Sequence, residues 1–297
     1  MSAHLSTNTP LSSNPHPSRT GASRILIAGC GDLGQRCAAL LDAHEEVGAV
    51  YGLRRHPPVS SGHAIHWVRG DVADPASLAG LPVGITHVLY ALTPGERTEE
   101  AYRRVYLDGL RHVVRALDAG ALRRIVFVSS SAVYGDHGGQ WIDENTPTAP
   151  QAFNGRILVD AENWLHALGQ STTSLRLAGL YGPGREQLLA RIREGRAQAP
   201  SDDEHWANRI HVDDAAHACV HLLMRDEVEP VYIGCDDTPL PLRTLYESLA
   251  RLLAAPPVPQ GDAPAQVGNK RLCNARLRAS GWRPRFPDSR EGYRTLV

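Results

Sequence analysis

Gly29, Gly31 and Gly34 follow directly on the apolar run Ile25-Leu26-Ile27-Ala28 and precede Leu33, Cys37, Ala38, Leu40 and Leu41, which recur at helical spacing. Strand, tight glycine turn, helix is the context in which G-x-G-x-x-G carries chemical meaning. The first glycine permits the turn, the second lets the backbone approach a diphosphate, and the third lets the helix pack closely on its strand. The exposed N–H groups of the helix N-terminus then face the phosphates. A glycine-rich αβ turn without a ligand has the same spacing; the flanking elements favour the dinucleotide.

A second apolar run, 47–53, ends in Arg54-Arg55. In a dinucleotide fold the residue that reads the adenosine ribose lies roughly twenty positions beyond the glycines. An acidic residue there would bond the 2′-hydroxyl and repel a 2′-phosphate, whereas two guanidiniums suit bidentate phosphate contact. NADP is therefore favoured, with NAD possible. The other reading of the pair is two solvated loop arginines.

These groups need a scaffold. A third strand, 64–68, runs into Gly70-Asp71; a buried-type strand, 87–92, breaks at Thr93-Pro94-Gly95. Tyr102, Val105, Tyr106, Leu110, Val113, Val114 and Leu117 predict an amphipathic helix over 98–119, stopped by Gly120. The strand 124–128 follows and ends in Ser129-Ser130-Ser131. Strand–helix alternation with short links implies an α/β fold with a parallel sheet covered on both faces.

Composition narrows the partners. The 297 residues carry 31 basic and 32 acidic side chains, and no basic stripe with interleaved aromatics appears, so a nucleic-acid partner is not expected. The five cysteines are scattered, which fits a reduced, cytoplasmic setting. No apolar segment reaches membrane-span length, and no membrane partner is expected. Residues 1–23, rich in Ser, Thr, Asn and Pro, lack the apolar core of a signal peptide and read as a disordered tail.

G-C-G-D-L-G, then G-D-V-A-D, V-F-V-S-S-S-A-V-Y-G, L-R-L-A-G-L-Y-G-P-G-R and N-R-I-H-V-D-D-A-A, in that order, resemble the extended and atypical short-chain dehydrogenase/reductases, the NAD-dependent epimerase/dehydratase-like group. The resemblance implies a Rossmann-type doubly wound parallel sheet with a small C-terminal substrate-facing lobe. It implies a dinucleotide-binding domain over 24–177, completed by about 207–235, and a smaller substrate-binding lobe from 178–206 and 236–297. Gly29, Cys30, Gly31, Asp32, Leu33 and Gly34 would hold the pyrophosphate, and Arg54 and Arg55 the 2′-phosphate. Asp71 and Val72 would sit at the adenine, with Ala91, Leu92 and Thr93 between adenosine and nicotinamide. Ser130 occupies the place of the family's catalytic Ser or Thr. Ser131, Tyr181 and Arg209 would face a small-molecule substrate. A homodimer is expected from the resemblance alone.

The chain departs from the family at the Tyr-x-x-x-Lys pair, in which Lys bonds the nicotinamide ribose and lowers the Tyr pKa. Asn154 stands at the Tyr position and Leu158 at the Lys position; shifting by one gives Phe153 and Ile157. Tyr106 replaces the Asn usual in the helix after the fourth strand. Ser130 retains a hydroxyl, and Tyr134 and Tyr181 are phenols expected near the cleft, as hydrogen-bond donors or as packed pocket aromatics. His137, in the loop after Tyr134-Gly135-Asp136, reads as a candidate acid or base or as a solvated loop histidine, and Arg156 could place a cation near the missing Lys. Asp143 and Glu144 read as solvated or capping acids, Asp213 as a helix N-cap, and no metal site is expected. The functional expectation is an NAD(P)-dependent oxidoreductase acting on a small carbonyl or hydroxyl compound. Its alternatives are a catalytically weak or inactive NADP(H)-binding sensor or scaffold and, third, a sugar-nucleotide epimerase/dehydratase.

Overall fold

Seven short runs, rich in aliphatic residues, pair side by side in a single parallel sheet. They are β1 (Ser23–Ala28), β2 (Val47–Arg54), β3 (Ile65–Arg69), β4 (His87–Tyr90), β5 (Arg124–Ser130), β6 (Thr172–Leu177) and β7 (Val231–Gly234), in the order β7-β6-β5-β4-β1-β2-β3. This computed structural model describes residues 22–58, 65–169, 171–201, 205–264 and 268–297. The expected tail, 1–23, lies outside them except for its last two residues. Register places Ile27 of β1 between Gly52 of β2 and Leu89 of β4. Ile25 to Ala28 are fully buried, as a central strand covered on both faces requires.

Helix α1 (Asp32–Leu41) starts directly after the glycine turn and packs with α6 (Val212–Met224). Between β4 and β5 the structure departs from the single helix expected. A short α2 (Glu99–Tyr102) gives way to a π-helical turn, Arg103–Asp108, and then to α3 (Gly109–Arg115), and the chain leaves the helix at Ala116, before Gly120. The cause is a side chain in the helical ladder. The Tyr90 phenol donates to the Val105 carbonyl at 2.5 Å, taking that acceptor for itself. Gly109 allows the approach, because a Cβ there would lie 2.8 Å from the Tyr90 hydroxyl and 3.1 Å from the Arg104 carbonyl. The π turn packs against α4 (Phe153–His166).

A second apolar cluster gathers Tyr181, Leu189 and Ile192 with Leu245, Tyr246 and Tyr293. It joins α5 (Gln187–Arg193) to α7 (Leu242–Leu252) and the C-terminal turn Ser289–Arg294. Helix α7 buries Leu242, Leu245, Tyr246 and Leu249, a stripe at the 3.6-residue period. Two expectations change. The cap of α6 is His211, whose Nδ1 accepts from the Asp213 N–H at 3.2 Å, because burial disfavours the charged ring and leaves Nδ1 free to accept. Glu144 is not solvated: its side chain is 3% exposed and accepts from the Ile233 N–H. No described helix is long and apolar enough to cross a membrane.

Candidate functional site

A groove of about 890 Å³ runs along the C-terminal ends of the strands, the place where open α/β sheets receive ligands. The glycine turn forms its floor, and each glycine has a distinct steric surrounding. Gly29 has φ +88°, and a Cβ on it would lie 2.7 Å from the Leu92 nitrogen. At Gly34 a Cβ would lie 2.9 Å from both the Gly29 carbonyl and the Ile27 side chain, so α1 sits on β1 at backbone distance. At Gly31 a Cβ would meet nothing within 4 Å. Gly31 therefore faces open groove, with the N-terminus of α1 beside it and no side chain capping that end. These surroundings fit a diphosphate: space over the middle glycine and helix N–H groups around it.

One end of the groove lies at β2 and β3, where Arg54, Arg55, Asp71 and Val72 line it. The Arg54 guanidinium stands 6.0 Å over the Trp67 ring, a cation–π contact that fixes its direction. The other end lies beyond β5 and β6, at Ser130 and Ala178. Ser130 Oγ accepts from the Ala132 N–H at 3.2 Å, which leaves its own proton free to donate. Ala91, Leu92 and Thr93 line the middle, and Tyr106 of the π turn faces the same space. Burial pushes the Tyr106 phenol up to about 12.

Charge at the turn is balanced by arginines from elsewhere. Asp32, in the first turn of α1, accepts from Arg36 Nε at 2.9 Å and from Arg185 Nε at 3.1 Å. Arg36 reaches on to Asp213 at 2.5 Å and to the Pro183 carbonyl. Arg185 also lines the groove, so the segment after β6 closes one side of the site.

Several side chains expected at the site do not face the groove, Cys30 among them although its backbone belongs to the glycine turn. Cys30 is fully buried, and burial raises its thiol to about 11. Tyr134 is buried with the Arg176 guanidinium 4.8 Å over its ring, and burial lifts its phenol to about 12. Tyr181 is stacked on Tyr293 at 4.2 Å, 1% exposed, and burial raises its phenol as well. Neither phenol lines the groove, and neither do Ser131 and Arg209; the Arg209 guanidinium donates to the Asn208 carbonyl. His137 Nε2 sits on the Tyr134 carbonyl at 2.9 Å. Arg156 is an exposed residue bonded to the Gln151 carbonyl and does not line the groove. Leu158, at the Lys position, is 3% exposed in the main core, while Asn154 is half-buried.

Beneath Ser130 lies a network not evident in the sequence. Glu162 of α4 takes Arg176 Nη2 at 2.6 Å and Nε at 3.1 Å, and Ser129 Oγ donates to it at 2.6 Å. It joins β5, α4 and β6 through bonded pairs up to 33 positions apart, so no local spacing could have revealed it. Lys270, the single lysine of the chain, is also buried; its ammonium donates to the Gly135 carbonyl at 2.8 Å, and burial lowers it to about 8.

Comparison with known proteins agrees with this architecture. The model of the NAD dependent epimerase/dehydratase family matches residues 25–234. Protein YeeZ of Escherichia coli (strain K12) is 36% identical over 190 residues, spanning 62% of this chain and 66% of YeeZ, just under two thirds of that protein. A 3-diazoavenalumate denitrifying reductase from a Streptomyces species is 28% identical over 91% of this chain and 98% of its own. A solved Methylobacillus flagellatus structure, assigned to the NAD-dependent epimerases/dehydratases, superposes with TM-score 0.76 at 35% identity, covering 92% of this chain and 97% of the other.

Proposed function

From the chain's membership of the NAD-dependent epimerase/dehydratase family, we propose that it is an NAD(P)-dependent oxidoreductase of the short-chain dehydrogenase/reductase type, acting on a small carbonyl or hydroxyl compound. The observation that carries the dinucleotide half of this reading is the open space over Gly31, bounded by a helix N-terminus without a side-chain cap. A similar reductase, the 3-diazoavenalumate denitrifying enzyme, supports the choice of redox chemistry. When bound, the coenzyme supplies the hydride or accepts it. The protein's part is to hold the diphosphate on the backbone of the glycine turn, to exclude water under the segment carrying Arg185, and to present the Ser130 hydroxyl to a substrate oxygen.

NADP is the coenzyme we favour, because Arg54 and Arg55 both line the β2 end of the groove and no carboxylate ends β2. Residues 178–206 and 236–297 form the substrate-facing lobe in this reading, and the protein works in the cytoplasm as a homodimer. Titration with NADPH and NADH, followed by a screen of NADPH oxidation against aldehydes, ketones and imines, tests the proposal. Arg54→Asp is expected to weaken NADP far more than NAD; equal losses would overturn the coenzyme assignment.

A second reading rests on a specific feature. With Leu158 in the core and Asn154 at the Tyr position, α4 supplies neither cation nor phenol to the groove. A protein that binds NADP(H) and turns over slowly or not at all, as a sensor or scaffold, matches that loss. Tight coenzyme binding with no turnover on any substrate in the screen favours it. Sugar-nucleotide epimerase or dehydratase chemistry is the third reading, tested with UDP-glucose in the presence of NAD.

A further inference from the structure

We propose that Tyr106 and Thr93 form the seat for the ribose hydroxyls of the second, nicotinamide-bearing half of the dinucleotide; this inference rests on the dinucleotide reading above.

Strand order decides which half they face. The diphosphate place is at the end of β1, and Arg54 and Asp71 lie on its β2 and β3 side. Tyr106 lies on the opposite side. Its ring meets Phe127 of β5 edge-on, at 6.2 Å and 89°, and Thr93 stands just beyond β4. Both residues line the groove on the way to Ser130. Among the described residues that line it, Tyr106 is the one phenol.

The chemistry fits a sugar. Two hydroxyl-bearing side chains lining one stretch of groove each offer an O–H and lone pairs, the complement of a vicinal diol whose groups each donate and accept. The phenol stays neutral in the physiological range because burial raises its pKa to about 12, so it serves as a donor. A substrate carbonyl would use only half of this capacity. The need for such a seat is plain, since Leu158 leaves α4 with no polar head to send into the groove.

Tyr106 is also held there at a cost. It stands on the π turn maintained by the Tyr90–Val105 hydrogen bond, and an uninterrupted α-helix would rotate it relative to α3. Single π turns inside helices recur at functional sites.

Calorimetric titration of three ligands isolates the contact: NADP, 2′-phospho-ADP-ribose, which keeps the second ribose but lacks nicotinamide, and 2′,5′-ADP, which lacks both. NAD, ADP-ribose and AMP form the parallel series if NAD is the coenzyme. Tyr106→Phe keeps the packing on Tyr102 and Phe127 and removes only the hydroxyl. The expected result is about tenfold weaker binding of the first two ligands and a change below about twofold for the third. Thr93→Val should reproduce the pattern. A loss confined to the intact dinucleotide would assign the hydroxyls to the nicotinamide ring and overturn the proposal, as would unchanged affinity for all three. Should the wild-type protein bind none of the ligands, the dinucleotide reading itself falls.

Discussion

Glu162 holds Arg176 through two parallel hydrogen bonds, Nη2 to Oε2 at 2.6 Å and Nε to Oε1 at 3.2 Å, with both side chains under a tenth exposed. The same carboxylate anchors Ser129 at 2.6 Å, next to the residue that presents its hydroxyl at the end of the groove. The ion pair thus braces the end of β5 from below.

Breaking one side of a buried pair leaves an uncompensated charge in a place without water, at about 3–5 kcal/mol. Glu162→Gln is therefore expected to destabilise the fold by about that much in urea unfolding. Replacing both partners together, Glu162→Met with Arg176→Met, should recover most of the loss. A double variant as unstable as the single one would show that packing, and not the stranded guanidinium, dominates.

Gly31 and Gly29 offer a sharper contrast. Gly31→Ala adds a methyl where nothing lies within 4 Å, so the thermal midpoint should stay unchanged while NADP affinity falls more than about tenfold. Gly29→Ala, by contrast, drives a Cβ to 2.7 Å from the Leu92 nitrogen at φ +88° and should lower stability and binding together. If Gly31→Ala binds coenzyme normally, the diphosphate does not lie over that residue.

Those glycines show what a sequence makes legible. Their jobs depend on the nearest few residues, so strand, turn and helix could be read in order, and the strand ends carrying Arg54 and Ser130 came with them. Side-chain direction was a different matter. V-Y-G and L-Y-G mark where the backbone passes, yet the rings of Tyr134 and Tyr181 turn into the interior, one under Arg176 and one onto Tyr293. The apolar spacing of 98–119 described a plain helix because periodicity registers which face is buried. The π turn arises from Tyr90, 15 positions before the carbonyl it captures, and only the folded chain brings the two together. Asp213 looked like a cap for the same reason; the ring of His211 reached the N–H first.

That captured carbonyl can be tested directly. Tyr90→Phe should cost about 1–3 kcal/mol, because the carbonyl would be left buried without its donor. Gly109→Ala should destabilise similarly, since its methyl would stand 2.7 Å from Val72 and 2.8 Å from the Tyr90 hydroxyl. Urea denaturation of both variants checks this. No loss in either would mean that the π turn stands without the Tyr90 bond.

Asp236 sets a pH dependence. It is buried beyond β7, and desolvation lifts its folded pKa from 3.8 to about 8. Between those values the folded state retains a proton that the unfolded chain has lost, so stability falls as pH rises through the window and levels off above about 8. Asp236→Asn has no proton to lose and should gain on the wild-type protein as pH rises from 5 to 8, by up to about 1.4 kcal/mol per unit. Urea midpoints at pH 5, 6.5 and 8 measure this. A constant difference between the two proteins would show that Asp236 is ionised throughout.

A π turn holds one residue more than the α turn it replaces, and each residue in a helix advances the chain by about 100°. Deleting a single codon between Arg103 and Asp108 would close it and leave both α2 and α3 in register with the sheet, so that only the residues of the turn itself, Arg104, Val105 and Tyr106 among them, would change what they present to the groove. The lining of the groove is thus one indel away from another chemistry while the hydrophobic core keeps its sequence, which gives this stretch an inexpensive evolutionary dial.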